Sequence, residues 1–224
     1  MKKIRAIFAI NRYFFTGFIL VIAAMVFFLA LTGKTAGFIL LNSWHSKAAE
    51  LFFQIYTNAG DGLFSIALFL VLLFFHRSLL GWEIVISFLL SGLIAQLLKY
   101  AFPMPRPKTL IGDAHYAFFI QGYTHVGNAS FPSGHTASAF GLATLLSLFC
   151  RNKKWGILYL FLAMLVGYSR IYLGQHFLQD VLAGAVAGTA SAIAVFLAIE
   201  TKRSWFVKMK SAEKRYHEIT GKPK

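Results

Sequence analysis

Residues 155–199 read WGILYLFLAMLVGYSRIYLGQHFLQDVLAGAVAGTASAIAVFLAI. Two apolar runs, Trp155–Tyr172 and Phe177–Ile199, each approach the roughly 20 residues that cross a bilayer as a helix. Only four residues part them, and Ser169, Arg170, His176 and Asp180 gather around that junction. Upstream, Phe14–Leu31, Leu79–Leu98 and Gly134–Cys150 repeat the pattern. Gly62–Phe75 is a weaker run, free of charge only between Asp61 and His76, with an apolar Leu51–Tyr56 before it. The 224 residues are 58% hydrophobic and 13% charged, with a mean hydropathy of +0.64. A soluble domain carries about 25% charge, so a water-soluble globule and a disordered chain are both excluded. The length suits one domain, residues 1–224. The expected fold is all-α, an integral membrane bundle of six transmembrane helices.

Charge sets the orientation. With six crossings both termini share one side, together with the short loops at His76–Arg77 and Arg151–Lys154. Lys and Arg on that side number four in the N-terminal segment 1–12, four in the two loops and eight in the tail 201–224. That is sixteen of the 22 in the chain. The positive-inside rule makes this the cytoplasmic side. The net charge of +14 is therefore a topology signal, and nucleic acid is not an expected partner. Trp44, Trp82, Trp155 and Trp205 fall at span ends, as interfacial belts require. The first run exceeds the 7–15 residues of a signal-peptide core, and no clean small-x-small cleavage site follows, so an uncleaved anchor is expected. The tail reads as a solvated juxtamembrane helix. Cys150, the single cysteine, has no intramolecular disulfide partner.

The outer side carries polar residues that membrane insertion does not require. Four of the five prolines, Pro103, Pro105, Pro107 and Pro132, fall in or border the long loop 99–135, where proline forces the backbone out of helix. That loop opens with Lys99, reaches Arg106-Pro107, and closes with Pro132-Ser133-Gly134-His135 at the start of a span. Alternation of spans puts it on the same face as Arg170, His176 and Asp180, whether or not the weak run crosses. Lys99, Arg106 and Arg170 supply fixed positive charge, and the arginine fork suits phosphate oxygens. Ser133 and Gly134 open a helix, whose free N–H groups favour an anion. His176 and Asp180 share one helix face, and a carboxylate behind an imidazole prepares a nucleophile or base. His135 has no such partner, which suits a proton donor. A divalent metal would be repelled by three cations facing one carboxylate. An anion channel explains the cations but not an Asp one turn behind a His.

These residues also resemble the three-part signature of the type 2 phosphatidic acid phosphatase superfamily. Lys99 with Arg106-Pro107, then Pro132-Ser133-Gly134-His135, then Ser169-Arg170 with His176 and Asp180, match it at eleven positions. The resemblance implies a metal-independent membrane phosphatase acting on lipid phosphates or pyrophosphates, with a pocket shared with vanadate-dependent haloperoxidases. It implies that His176 is the nucleophile that becomes phosphohistidine, Asp180 its orienting partner, and His135 the acid that protonates the leaving oxygen. Lys99, Arg106, Ser133, Gly134 and Arg170 would hold the phosphoryl oxygens. Implied substrates are phosphatidylglycerophosphate, phosphatidic acid, undecaprenyl pyrophosphate and lipid A phosphates. The expected setting is the inner membrane of a bacterium, with the active site at the outer, periplasmic interface. The expected partners are a lipid phosphate from the bilayer and the membrane lipids; no cofactor and no metal is expected. Two alternatives use the same scaffold, a lipid phosphotransferase and a non-catalytic lipid or anion transporter.

Lesser features complete the reading. Gly184, Gly188 and Ala192 make a small-residue face below the His176–Asp180 pair, suited to close helix packing. In the long loop, Lys108, His115, Tyr123 and His125 are placed to read a headgroup, and Phe118-Phe119-Ile120 to dip into lipid. Asp61 is expected to pair with a nearby cation, and His45 beside Trp44 reads as an interface residue.

Overall fold

A computed structural model describes residues 2–220, with side chains over 4–201. Trp205 and the tail's basic side chains lie outside the described side chains, and Met1 and residues 221–224 outside the described residues. In chain order the helices are α1 (Lys2–Ile10), α2 (Arg12–Thr32), α3 (Lys34–Leu41), α4 (Lys47–Tyr56), α5 (Gly62–Phe74) and α6 (Ser78–Ala101). There follow α7 (Pro107–Ile111), α8 (Gly134–Phe149), α9 (Trp155–Tyr172) and α10 (Leu178–Thr220). Among the described residues there is no strand, and the isolated bridge between Met104 and Ala129 merely pins the two ends of the long loop.

Among the described residues four helices are long and apolar enough to cross a membrane: α2, α6, α9 and α10 over Leu178–Thr201. Two segments depart from a plain span. The weak run is a broken helix, α4 with a 3₁₀ turn at Thr57–Gly60 and then α5, bent by 59°. Two local features make the break. A Cβ on Gly60 would lie 2.7 Å from the carbonyl oxygen of His135, so the turn is pressed onto the start of α8. Asp61 then caps α5, accepting from Leu63 N at 3.3 Å. The other is α8, whose 16 residues rise about 24 Å, short of the ~30 Å hydrocarbon core. Its sequence fits a shielded position, because eleven of those residues are buried. Helix α10 runs on unbroken to Thr220.

The centre of the molecule is α8, packed chiefly against α10, α9 and α6. Phe140, Ala143 and Leu145 of α8 meet Phe14 and Phe15 of α2, Ile84 of α6, Leu160 and Ala163 of α9, and Ala185 and Ala192 of α10. The shielded α8 carries Thr136, Ser138, Thr144 and Ser147 among its buried residues. Thr144 Oγ1 donates to Phe140 O at 2.7 Å, within its own helix, whereas the buried Ser147 Oγ has no partner. Inside α6, Glu83 is fully buried with both carboxylate oxygens lacking hydrogen-bond partners, and Ser87 Oγ one turn on lacks one too.

Candidate active site

Three segments converge at the end of the bundle where α8 and α10 begin. The first holds Lys99, in the last turn of α6, and Arg106, just ahead of α7 with Pro107 at its first position. The loop base is clamped by Arg106 N donating to Gly127 O at 2.9 Å and Ser130 N to Met104 O at 3.1 Å. The Arg106 guanidinium reaches the third segment, donating to Gln175 O at 3.1 Å and Gln175 Oε1 at 3.0 Å.

The second segment is the start of α8. Ser133 Oγ caps it, accepting from Thr136 N at 3.4 Å and Thr136 Oγ1 at 2.9 Å. Ser133 N donates to Asp180 O at 3.0 Å, which ties the start of α8 to the start of α10. A Cβ on Gly134 would meet nothing within 4 Å. Open space thus lies over a helix N-terminus whose N–H groups attract an anion. Gly134, His135 and Lys99 line a cavity of about 390 Å³ that also takes in Asp61, Gln96 and Phe88.

The third segment leaves α9 through Gly174, whose φ of 67° is the left-handed turn that glycine adopts without strain. Gln175 N and His176 N then both donate to Arg170 O, at 2.9 and 3.1 Å. Arg170 is buried; its Nη1 donates to Thr57 Oγ1 at 2.7 Å, while its Nε has no partner. A buried guanidinium with an idle donor suits an arriving anion, because an unmade buried hydrogen bond is costly. Asp180 Oδ2 accepts from Ser130 Oγ at 2.6 Å and Phe177 N at 2.9 Å, and lies 3.5 Å from His176 Nδ1. At that distance the His176–Asp180 contact is an open hydrogen bond, of the kind that tightens when substrate binds. Its direction still leaves Nε2 as the nitrogen free to react. Burial pushes the His176 imidazole down to about 4, Arg170 and Arg106 push the same way, and Asp180 opposes them. The ring is therefore neutral at physiological pH and holds a lone pair. Burial also lowers Arg106, which Asp180 counters.

All eight expected site residues meet here. Lys99 lies in electrostatic range of Arg106, Arg170 and Asp180, and His135 in range of Arg170, Asp61, His176 and Lys99. Among the described residues no three His, Cys, Asp or Glu side chains are grouped so as to hold a metal ion. The arrangement can hold a tetrahedral anion between three cations and a helix N-terminus, with one imidazole aligned by a carboxylate and a second beside it.

A family model described as the PAP2 superfamily matches residues 80–204, more than half of the chain and all of the site from Lys99 to Asp180. The chain belongs to the PAP2 superfamily. Among curated relatives, it is 33% identical over 107 residues to the putative undecaprenyl-diphosphatase YbjG of Escherichia coli, covering 47% of this chain and 50% of that one. It is 31% identical over 157 residues to the lipid A 4'-phosphatase of Porphyromonas gingivalis, covering 67% of this chain and 66% of that one. The crystal structure of Aquifex aeolicus LpxE superposes with a TM-score of 0.63 at 31% identity, covering 71% of this chain and 92% of that one. The chain spans about a third to two thirds of the length of the first curated relatives it matches.

In this PAP2 chain several positions differ from the sequence reading. Phe119 does not dip into lipid: it packs on Tyr116 (centroids 4.7 Å apart) and Phe38 (6.3 Å), in a cluster with buried Phe177. His45 is more than an interface residue. It stacks between Phe118 and Tyr172, and its Nε2 lies 2.8 Å from Asn42 Oδ1. Of the headgroup candidates, His125 Nδ1 pairs with Gln175 Oε1 at 2.8 Å and Lys108 with Asp113 at 3.2 Å. Asp61 uses an oxygen on the α5 cap, and the titratable groups it faces across space are His135 and Arg170. Three positioning residues went unread: Gln175, which joins Arg106 to the third segment, Ser130 on Asp180, and Thr57 on Arg170. Gln175 and Ser130 lie close to the motifs, but nothing in the sequence connects Thr57 to them.

Proposed function

We propose that this chain is a metal-independent hydrolase of a membrane lipid phosphate or pyrophosphate, working through a phosphohistidine. The observation that carries the reading is the neutral His176, backed by Asp180, beneath Arg106, Arg170 and Lys99 at the open N-terminus of α8. The phosphoryl group sits against Ser133 and Gly134, with its equatorial oxygens on the three cations, where most phosphoryl-transfer catalysis resides. His176 Nε2 attacks phosphorus in line. The P–O bond to the lipid breaks, and His135 gives its proton to the departing oxygen. Neutral His135 then takes a proton from water as that water attacks the phosphohistidine, releasing inorganic phosphate and restoring both imidazoles.

The same reading supplies the setting. The six apolar segments cross the inner membrane as a single domain, both termini are cytoplasmic, and the site faces the periplasm or exterior. The sixteen basic residues on one side support this orientation. The substrate is drawn from the bilayer: relatives named for undecaprenyl diphosphate and for lipid A support a lipid carrying phosphate or diphosphate. An open groove of about 420 Å³ between α5, α8 and α9, lined by Leu68, Leu142 and Leu162 among others, suits hydrocarbon.

The test is phosphate release from a panel of lipid phosphates by detergent-purified protein with a chelator present. Release is expected with at least one lipid, and His176→Ala is expected to remove it, a loss on the order of 10⁴-fold or more for an absent nucleophile. Activity that survives in His176→Ala, or that the chelator abolishes, overturns the reading.

A further inference from the structure

The bend at Thr57–Asp61 lies outside the residues that carry the family resemblance, yet it forms a wall of the site. Thr57 accepts from Arg170, Gly60 presses on the carbonyl of His135, and Asp61 shares the 390 Å³ cavity with His135 and Lys99. The charged and titratable groups facing His135 are Arg170 from α9, Lys99 from the end of α6, His176 from the loop before α10, and Asp61 from the bend. Asp61 is the one carboxylate in that set. Its Oδ1 caps α5 while Oδ2 stays outside the cap.

We propose that Asp61 is a positioning residue for the acid step: across the cavity, its charge holds the proton on His135 that the leaving oxygen takes. The inference rests on the phosphatase reading above. It follows from charge balance. Lys99, Arg106 and Arg170 face two carboxylates, Asp180 and Asp61, so with neutral imidazoles the protein groups leave one surplus positive charge. A phosphoryl dianion needs two. Protonated His135 supplies the second, but among Arg170 and Lys99 that proton needs a negative neighbour before and during P–O cleavage. As the bond breaks, the proton passes to the lipid oxygen and His135 is left neutral. The Asp61 carboxylate weakens phosphate binding in the ground state, so it acts on turnover at the expense of affinity.

Asp61→Asn isolates the charge, because asparagine caps a helix as well as aspartate does. The assay compares dodecyl phosphate, whose alkoxide leaves only with a proton, and 4-nitrophenyl phosphate, whose phenolate leaves without one. On dodecyl phosphate, Asp61→Asn is expected to lower kcat at least about tenfold, part of the 10²–10⁴ that a general acid contributes, with KM unchanged or lower. On 4-nitrophenyl phosphate the loss should stay under about threefold, the acid contribution being absent there. In a His135→Ala background the Asp61 substitution should add nothing to the loss on dodecyl phosphate, the mark of residues acting as a unit. Equal losses on both esters, additive losses in the double variant, or full activity of Asp61→Asn beside a dead His135→Ala would overturn the role of Asp61 and leave the phosphatase reading standing. Full activity of His135→Ala would remove the acid step itself. Where 4-nitrophenyl phosphate is not turned over, the double variant alone decides.

Discussion

His176, the proposed nucleophile, is held by two opposed forces. Burial and the neighbouring arginines strip its proton, while Asp180 sets the tautomer from behind and moderates the fall. The sign is fixed by that balance. Protonation blocks the Nε2 lone pair, so activity is lost as pH falls through the imidazole's value, near 4 and not near 6.5. The acidic limb of kcat/KM against pH is expected close to 4 in the free enzyme. Asp180→Asn should push that limb lower still and depress kcat, because the carboxylate that favours the imidazolium is gone. A limb that stays near 6.5 in the unmodified enzyme would show that His176 is not held neutral by its surroundings. Ser130 belongs to the same unit, since its short bond to Asp180 Oδ2 keeps that oxygen in place.

At the scale of elements, the proposed catalytic geometry depends on how closely α8 and α10 cross, since one carries His135 and the other begins beside His176. The crossing is set by backbone contact. A Cβ on Gly184 would lie 2.5 Å from Ser133 O, and one on Gly188 would collide with the carbonyl of Ala137. Both obstacles are backbone, which cannot swing aside. Gly188→Ala is therefore expected to cost about 1–3 kcal/mol, the range for overpacking a tight interface, and to lower kcat by forcing the two helices apart. Gly92→Ala, where a Cβ meets nothing within 4 Å, should leave stability nearly unchanged. Thermal unfolding in detergent compares the two. Equal midpoints for both variants would mean that the crossing tolerates separation. The broken helix α4–α5 is the other informative element: its bend delivers Thr57, Gly60 and Asp61 to the site, which a straight span would carry past.

For the molecule as a whole, the charge asymmetry predicts which end faces out. In a Cys150→Ser background, a membrane-impermeant maleimide on intact cells should label Gln121→Cys, in the long loop, and spare Arg151→Cys, in the α8–α9 turn. The reverse pattern would invert the orientation. How far the sequence reaches is plain from particular residues. The apolar runs gave α9 to the residue and α2 and α6 within three residues at each end, because hydrocarbon thickness and backbone satisfaction impose length and helicity directly. The eight proposed site residues, which the structure brings together, could be named from the sequence because each chemistry needs its own side chain and motif spacing preserves it. Other features were not legible. The break at Thr57–Asp61 arises because Gly60 is pressed on His135, 75 positions away, and α8 is short because its neighbours shield it from lipid. Buried Glu83 sits in a run that length alone reads as a plain span. Phe119 packs inward because Phe38, Tyr116 and Phe177 meet there, although its apolar side chain would suit lipid equally. By itself the sequence determined the helices, their membrane character and the chemical inventory of the site, since these depend on local composition and spacing. Only the tertiary structure decided which polar groups became partners, Thr57 with Arg170, Gln175 with Arg106 and Asp61 across from His135, because those pairings depend on how separate helices pack.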